Sequence, residues 1–153
     1  MTSESYIFLA GASRGIGREI AKYLIAENYQ VMALLRSFDA KPELEAMGIK
    51  VVIGDALDIA SVETVMLGEE NITTVISTIG GLSKDVERAD YLGNKNLTDI
   101  ALKAKVQQFI LISSIGTGES AVALPPQALE TLGPVLLEKE KAEQHLINSG
   151  LTY

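Results

Sequence analysis

A glycine-rich run, Ala10-Gly11-Ala12-Ser13-Arg14-Gly15-Ile16-Gly17, carries the first chemistry legible in this sequence of 153 residues. Gly11 permits a tight turn, Gly15 lets main chain approach a ligand closely, and Gly17 lets a helix pack tightly on what lies beneath it. Free N–H groups at a helix start, aided by the helix dipole, favour an anion. Ser13 adds a hydroxyl donor, Arg14 a cation, and Ile16 completes the loop between them and Gly17. The run lacks the Lys-Ser/Thr ending of a triphosphate-binding loop, which disfavours ATP or GTP hydrolysis. Its alternative is a tight strand-to-helix turn that holds no ligand.

Three further positions extend the same chemistry. Arg36 stands nineteen residues after Gly17. An acidic residue there would take the ribose hydroxyls of NAD, whereas an arginine accommodates the 2′-phosphate of NADP. NADP(H) is therefore the expected cofactor, unless Arg36 is simply a solvated surface residue. Asp55, followed by Ala56, offers a carboxylate to an adenine amino group; the other reading is a helix cap, for which Asp58 is equally placed. Thr78-Ile79-Gly80, within the small-residue stretch 77–81, would let the cofactor pass.

The elements that must position these residues alternate in type. Apolar runs over 6–10, 31–35, 50–53, 74–78 and 109–113 read as buried strands. Helical spacing is expected over 14–28, 42–47, 58–67, 85–105 and 134–149, the last opening on Pro134 near its first turn. Residues 116–133 read as a loop. Strands alternating with helices imply βαβ units and a three-layer, doubly wound parallel sheet, a Rossmann fold, with strand order 3-2-1-4-5. The glycine run then falls between the first strand and first helix, where a dinucleotide fingerprint belongs. Leu151-Thr152-Tyr153 follows a helix stop and looks like the start of another strand. Either the tail frays, or the chain is cut before or within a sixth strand. The second is favoured, because the last helix should lead into that strand. Residues 1–153 are thus expected to form one NAD(P)-binding domain lacking its substrate-covering part.

Composition narrows the function classes. A net charge of −7 argues against general phosphate-backbone binding, and 5% aromatic content against base-stacking surfaces. No cysteine and a single histidine, His145, exclude thiolate catalysis, disulfides and His-rich or Cys-ligated metal sites. No apolar run approaches membrane-spanning length. The N-terminal apolar run is too short for a secretory leader, so a cytoplasmic setting is expected. Neither nucleic acid nor membrane is an expected partner.

Several of these segments resemble a known group. The run Gly11 to Gly17 resembles the glycine motif of short-chain dehydrogenases/reductases. Asp90-Tyr-Leu-Gly-Asn-Lys-Asn-Leu-Thr-Asp99, followed by Phe109-Ile-Leu-Ile-Ser-Ser-Ile-Gly116, is similar to the atypical, NmrA-like branch, which includes biliverdin/flavin reductase-like proteins. The ending Lys141-Ala-Glu-Gln-His-Leu-Ile-Asn-Ser-Gly-Leu-Thr-Tyr153 is similar to it too. The resemblance implies that Gly11, Gly15, Gly17, Arg36 and Asp55 contact the cofactor. It also implies that Ser113 or Ser114 lies near the nicotinamide, and that Lys141 matches the ribose-binding lysine of a Tyr-x-x-x-Lys motif. The sequence departs from that motif: Leu137 stands where the tyrosine belongs, and the register of Lys139 gives Val135. Neither side chain can move a proton.

Hydride transfer belongs to the cofactor, while carbonyl reduction needs a proton donor. Reduction of a flavin, quinone or tetrapyrrole depends less on a protein acid, because solvent can supply the proton. Ser113 or Ser114 would hydrogen-bond a substrate oxygen or else satisfy main-chain groups. Lys141 either binds ribose or is a solvated charge paired with Glu138. His145 is expected on the helix surface. Two classes of function follow: an NADPH-dependent reductase of a planar small molecule, or a non-catalytic NADP(H)-binding redox sensor or assembly factor. A homodimer is a further expectation, through Ala101, Leu102, Leu136, Leu137 and Leu146, although core packing explains those positions equally well.

Overall fold

The computed structural model describes residues 4–68, 70–81 and 88–153. Its sheet contains β1 (Ser5–Ala10), β2 (Gln30–Leu35), β3 (Lys50–Ile53), β4 (Asn71–Ser77) and β5 (Gln108–Leu111). All pairings are parallel, in the order β3-β2-β1-β4-β5. This is the doubly wound Rossmann arrangement that the alternation of elements predicts.

Alternation along the strands builds a core on each face. Phe8 and Ala10 of β1 join Met32, Val75 and Phe109 on one face. Leu9 joins Val31, Ala33 and Ile76 on the other. Helices α1 (Gly15–Ala26) and α2 (Lys41–Ala46) cover the second face through Ala21, Leu24 and Leu44. Helices α3 (Ile59–Met66), α4 (Leu92–Lys103) and α5 (Pro126–Asn148) cover the first through residues such as Val62, Leu97 and Leu146.

The largest boundary differences from the sequence reading lie at α5 and α4; β4 also starts at Asn71, three residues before the expected 74. The expected loop over 116–133 instead holds a 3₁₀ turn, Gly118–Ala123, and the first two turns of α5. Pro126, not Pro134, opens that helix. Pro134 sits inside it on an exposed face, so the Glu130 carbonyl that loses its N–H partner is left to water. The helix expected over 85–105 begins only at Leu92; residues 85–87 lie outside the described residues. Residues 88–91 are held in a turn, because the Asp90 carboxylate accepts from Gly81 N–H (2.7 Å) and Arg88 Nε (2.9 Å).

The chain's last residues run beside β5, where Phe109 N–H donates to the Thr152 carbonyl (2.9 Å) and Leu151 enters the core. Among the residues considered for self-association, Ala101, Leu136 and Leu146 are core, while Leu102 and Leu137 are exposed. Helices α4 and α5 are also stapled by polar contacts. Asp99 receives Lys95 Nζ (2.9 Å) and lies 2.6 Å from His145 Nε2, so His145 bridges two helices. Burial raises the Asp99 pKa, but the hydrogen bonds from Lys95 and His145 outweigh it and hold the carboxyl below the ordinary aspartate value. The same bond to Asp99 raises the Lys95 ammonium pKa. Among the described residues, no helix is long and apolar enough to cross a membrane.

Candidate functional site

A cleft of about 850 Å³ opens along the carboxyl ends of the strands. That volume is in the range of cofactor and small-molecule sites. All twelve residues expected to contact a cofactor line it. The loop after β1 supplies Gly11 and 13–17, the end of β2 supplies Arg36, the end of β3 supplies Asp55 and Ala56, and the end of β4 supplies 78–80.

The loop's geometry explains its glycines. Gly11 has φ +98°, and a Cβ there would strike the Thr78 hydroxyl. A Cβ on Gly17 would strike the Gly11 carbonyl and also come within 2.7 Å of Thr78 Oγ1. Thr78 in turn donates to the Ala10 carbonyl (3.2 Å), tying the end of β4 to the loop. Gly15 differs: its φ is +58°, yet nothing lies within 4 Å of an added Cβ. Its openness is toward the cleft, so it leaves room for a ligand against the main chain. Helix α1 starts at Gly15 without a side-chain cap or an acidic residue in its first turn. Its first N–H groups are therefore available to an anion.

Arg14 and Arg36 are both exposed on the cleft. Neither makes an ion pair or side-chain hydrogen bond among the described residues. Nearby acids are otherwise engaged, Glu43 with Arg18 and Asp39 with the Ser37 hydroxyl (3.0 Å). Two uncommitted guanidinium groups beside a helix N-terminus suit a phosphorylated ligand. The helix cap is Asp58, which accepts from Ala60 N–H (3.1 Å) at the start of α3. Asp55 accepts from Leu57 N–H (2.9 Å) in a local turn and faces the cleft.

Of the expected catalytic residues, only Ser113 lines the cleft. Ser114 is exposed and donates to the Ile115 carbonyl (2.9 Å). Lys141 points away, 3.4 Å from Glu138 and 5.8 Å from the Tyr91 ring centroid. Lys139 occupies the cleft in its place. Two residues along a helix turn the side chain by about 200°, so the two lysines face opposite ways. The sequence signal was the spacing Leu136–Lys139–Glu143–Leu146, which puts Lys139 on the face buried by its neighbours. Four residues before Lys139 stands Val135, and among the described residues no tyrosine or histidine lines the cleft.

The sequence reading also missed the polar frame at the cleft's inner end. Asp90 is 1% exposed; its Oδ1 has no hydrogen-bond partner among the described residues and lies 3.2 Å from Lys139 Nζ. A Cβ on Gly80 would come within 2.8 Å of that oxygen, so glycine is needed for the close approach. Buried Asn94 accepts from Ser77 (2.5 Å) and donates to the Asp90 carbonyl (2.8 Å). Ser113 donates to Glu143 Oε1, which also receives the Thr117 hydroxyl (2.8 Å).

The fold and this cleft define a dinucleotide-binding protein of the doubly wound class. A family described as NAD(P)H-binding matches residues 11–153. The chain belongs to that family, and to its atypical short-chain dehydrogenase/reductase, NmrA-like kind. It is similar to the structure described as ChuY, an anaerobillin reductase from Escherichia coli O157:H7, with TM-score 0.82 and 32% identity over 96% of this chain and 68% of that one. Among curated relatives, it is 31% identical to the chloroplastic protein TIC 62 of Arabidopsis thaliana, over 98% of this chain and 26% of the relative. It is 28% identical to the sanguinarine reductase of Eschscholzia californica, over 96% of this chain and 66% of that protein. The chain thus spans about a quarter of the TIC 62 relative and about two thirds of the two reductases.

Proposed function

We propose that this chain is the cofactor-binding domain of an NADPH-dependent reductase acting on a planar flavin-, quinone- or tetrapyrrole-like molecule. The carrying observation is the pair of uncommitted arginines, Arg14 and Arg36, on the cleft that the glycine loop opens. Gly15 and the α1 N-terminus receive the pyrophosphate, Arg36 with Arg14 takes the 2′-phosphate, and Asp55 faces the adenine. The cofactor, when bound, supplies the hydride. The protein orients it along the strand ends with the nicotinamide toward Ser113 and Lys139.

The absence of a phenol at Val135 or Leu137 favours a substrate whose reduced form takes its proton from solvent. The relatives described as anaerobillin and sanguinarine reductases support a planar, conjugated substrate. The same absence also favours a second reading, in which the cleft binds NADP(H) without turnover and reports redox state to a partner.

Fluorescence titration with NADPH and NADH side by side tests the cofactor assignment. Tight NADPH binding and much weaker NADH binding is expected; equal affinities refute the role of Arg36. An NADPH-consumption screen with flavins, quinones and biliverdin then separates the two readings. Consumption no faster than without protein would leave the sensor.

A further inference from the structure

We propose that Glu143 is a positioning residue that holds Ser113 as a hydrogen-bond acceptor at the β5 end of the cleft, so that the ligand group seated there is an N–H donor. This rests on the NADP(H) reading above.

A serine hydroxyl has one proton, and an ionised carboxylate can only accept. The Ser113 proton is donated to Glu143 Oε1. The Thr117 hydroxyl, on a residue only 8% exposed, lies 2.8 Å from the same oxygen and fixes the carboxylate from a second side. Glu143 has no ion pair among the described residues: Lys139, one turn earlier on α5, is engaged by Asp90. Donating its proton to this carboxyl oxygen polarises the Ser113 hydroxyl, which strengthens the serine oxygen as an acceptor toward the cleft. Hydrogen bonds of this charge-assisted kind are the stronger ones, so the hydroxyl does not readily turn away.

Position decides what meets that oxygen. The glycine loop and Arg36 lie at the ends of β1 and β2, and Ser113 follows β5 on the far side of the sheet order. A dinucleotide whose phosphates occupy the first end carries its nicotinamide toward the second. The donor is then the nicotinamide carboxamide NH₂ or a ring N–H of the acceptor substrate. A carbonyl oxygen at this spot would meet a lone pair instead of a proton.

Calorimetric titration of the full chain with NADP⁺ and with its 3-acetylpyridine analogue, which replaces the carboxamide NH₂ by a methyl group, tests the first source. Wild type and Glu143→Gln are expected to prefer NADP⁺ by about fivefold, because glutamine keeps an oxygen for both hydroxyls. Glu143→Leu and Ser113→Ala are expected to bind the two alike; Ser113→Ala keeps the test open if Glu143→Leu does not fold. A second titration of NADP⁺-loaded protein compares riboflavin with 3-methylriboflavin, which lacks the ring N–H. Discrimination in this pair alone, lost in Glu143→Leu and kept in Glu143→Gln, assigns the donor to the substrate. Equal affinities within both pairs for wild type, or discrimination that survives Glu143→Leu and Ser113→Ala, overturns the proposal. Wild type that binds neither cofactor overturns the cofactor reading and this inference with it, whereas binding without discrimination overturns this inference alone.

Discussion

Lys139 Nζ and Asp90 Oδ1 lie 3.2 Å apart at the inner end of the cleft, joining the middle of α5 to the turn before α4. The carboxylate is buried, and it also holds Gly81 N–H and Arg88. Removing it strands two cations and a main-chain donor. Breaking a buried pair on one side costs about 3–5 kcal/mol, and the partial exposure of both cations puts Asp90→Ala near the lower figure. Urea unfolding of the variant against wild type measures it, and a loss under 1 kcal/mol would show the cluster to be dispensable.

Arg36→Ala is expected to weaken NADPH binding by roughly 10–100-fold and leave NADH binding unchanged, since a hydrogen-bonded charge contact contributes about 1.5–3 kcal/mol. Side-by-side titration reads both. An equal loss for the two cofactors would assign Arg36 to the shared part of the dinucleotide.

Gly15 and Gly17 separate packing from ligand space. Gly17→Ala drives a Cβ into the Gly11 carbonyl and the Thr78 hydroxyl, and overpacking of this kind costs about 1–3 kcal/mol. Thermal unfolding should show a clear loss. Gly15→Ala meets no atom within 4 Å and carries only the left-handed backbone penalty of about 1–2 kcal/mol. Its larger effect is expected on NADPH affinity, because the new methyl group enters the cleft. Unchanged affinity in Gly15→Ala would remove that glycine from the binding surface.

Asp99 gives stability an acid limb. Its pKa is depressed in the fold, so its contribution is fully present above the unfolded aspartate value and is lost as pH falls through the lower folded value. Lys95 has the opposite sign: its pKa is raised, so its contribution holds below the unfolded lysine value and fades as pH climbs through the folded one. Melting temperatures of wild type and Asp99→Asn across pH 2–8 should therefore differ near neutrality, begin to converge as pH falls past about 4, and meet only below the lower folded value. Parallel curves over that range would mean the Lys95–Asp99–His145 contacts carry no net stability.

Local patterns in the sequence determined the strand order and the cofactor loop. Apolar runs of strand length, helical spacing between them and glycines at fixed offsets are short-range signals, and the right-handed crossover rule turns them into one topology. Even so, the start of α5 at Pro126 was hidden, because Pro134 reads as a helix opening until its exposed setting is known. Tertiary structure alone decided which polar groups meet. Lys139 and Lys141 are equivalent in composition and two positions apart, and only the docking of α5 on the sheet sends the first into the cleft. The pairs Lys139–Asp90 and Ser113–Glu143 join residues from separate elements, the latter thirty positions apart. No periodicity encodes such contacts; they exist because packing of two apolar faces brings the strand ends and the helix together.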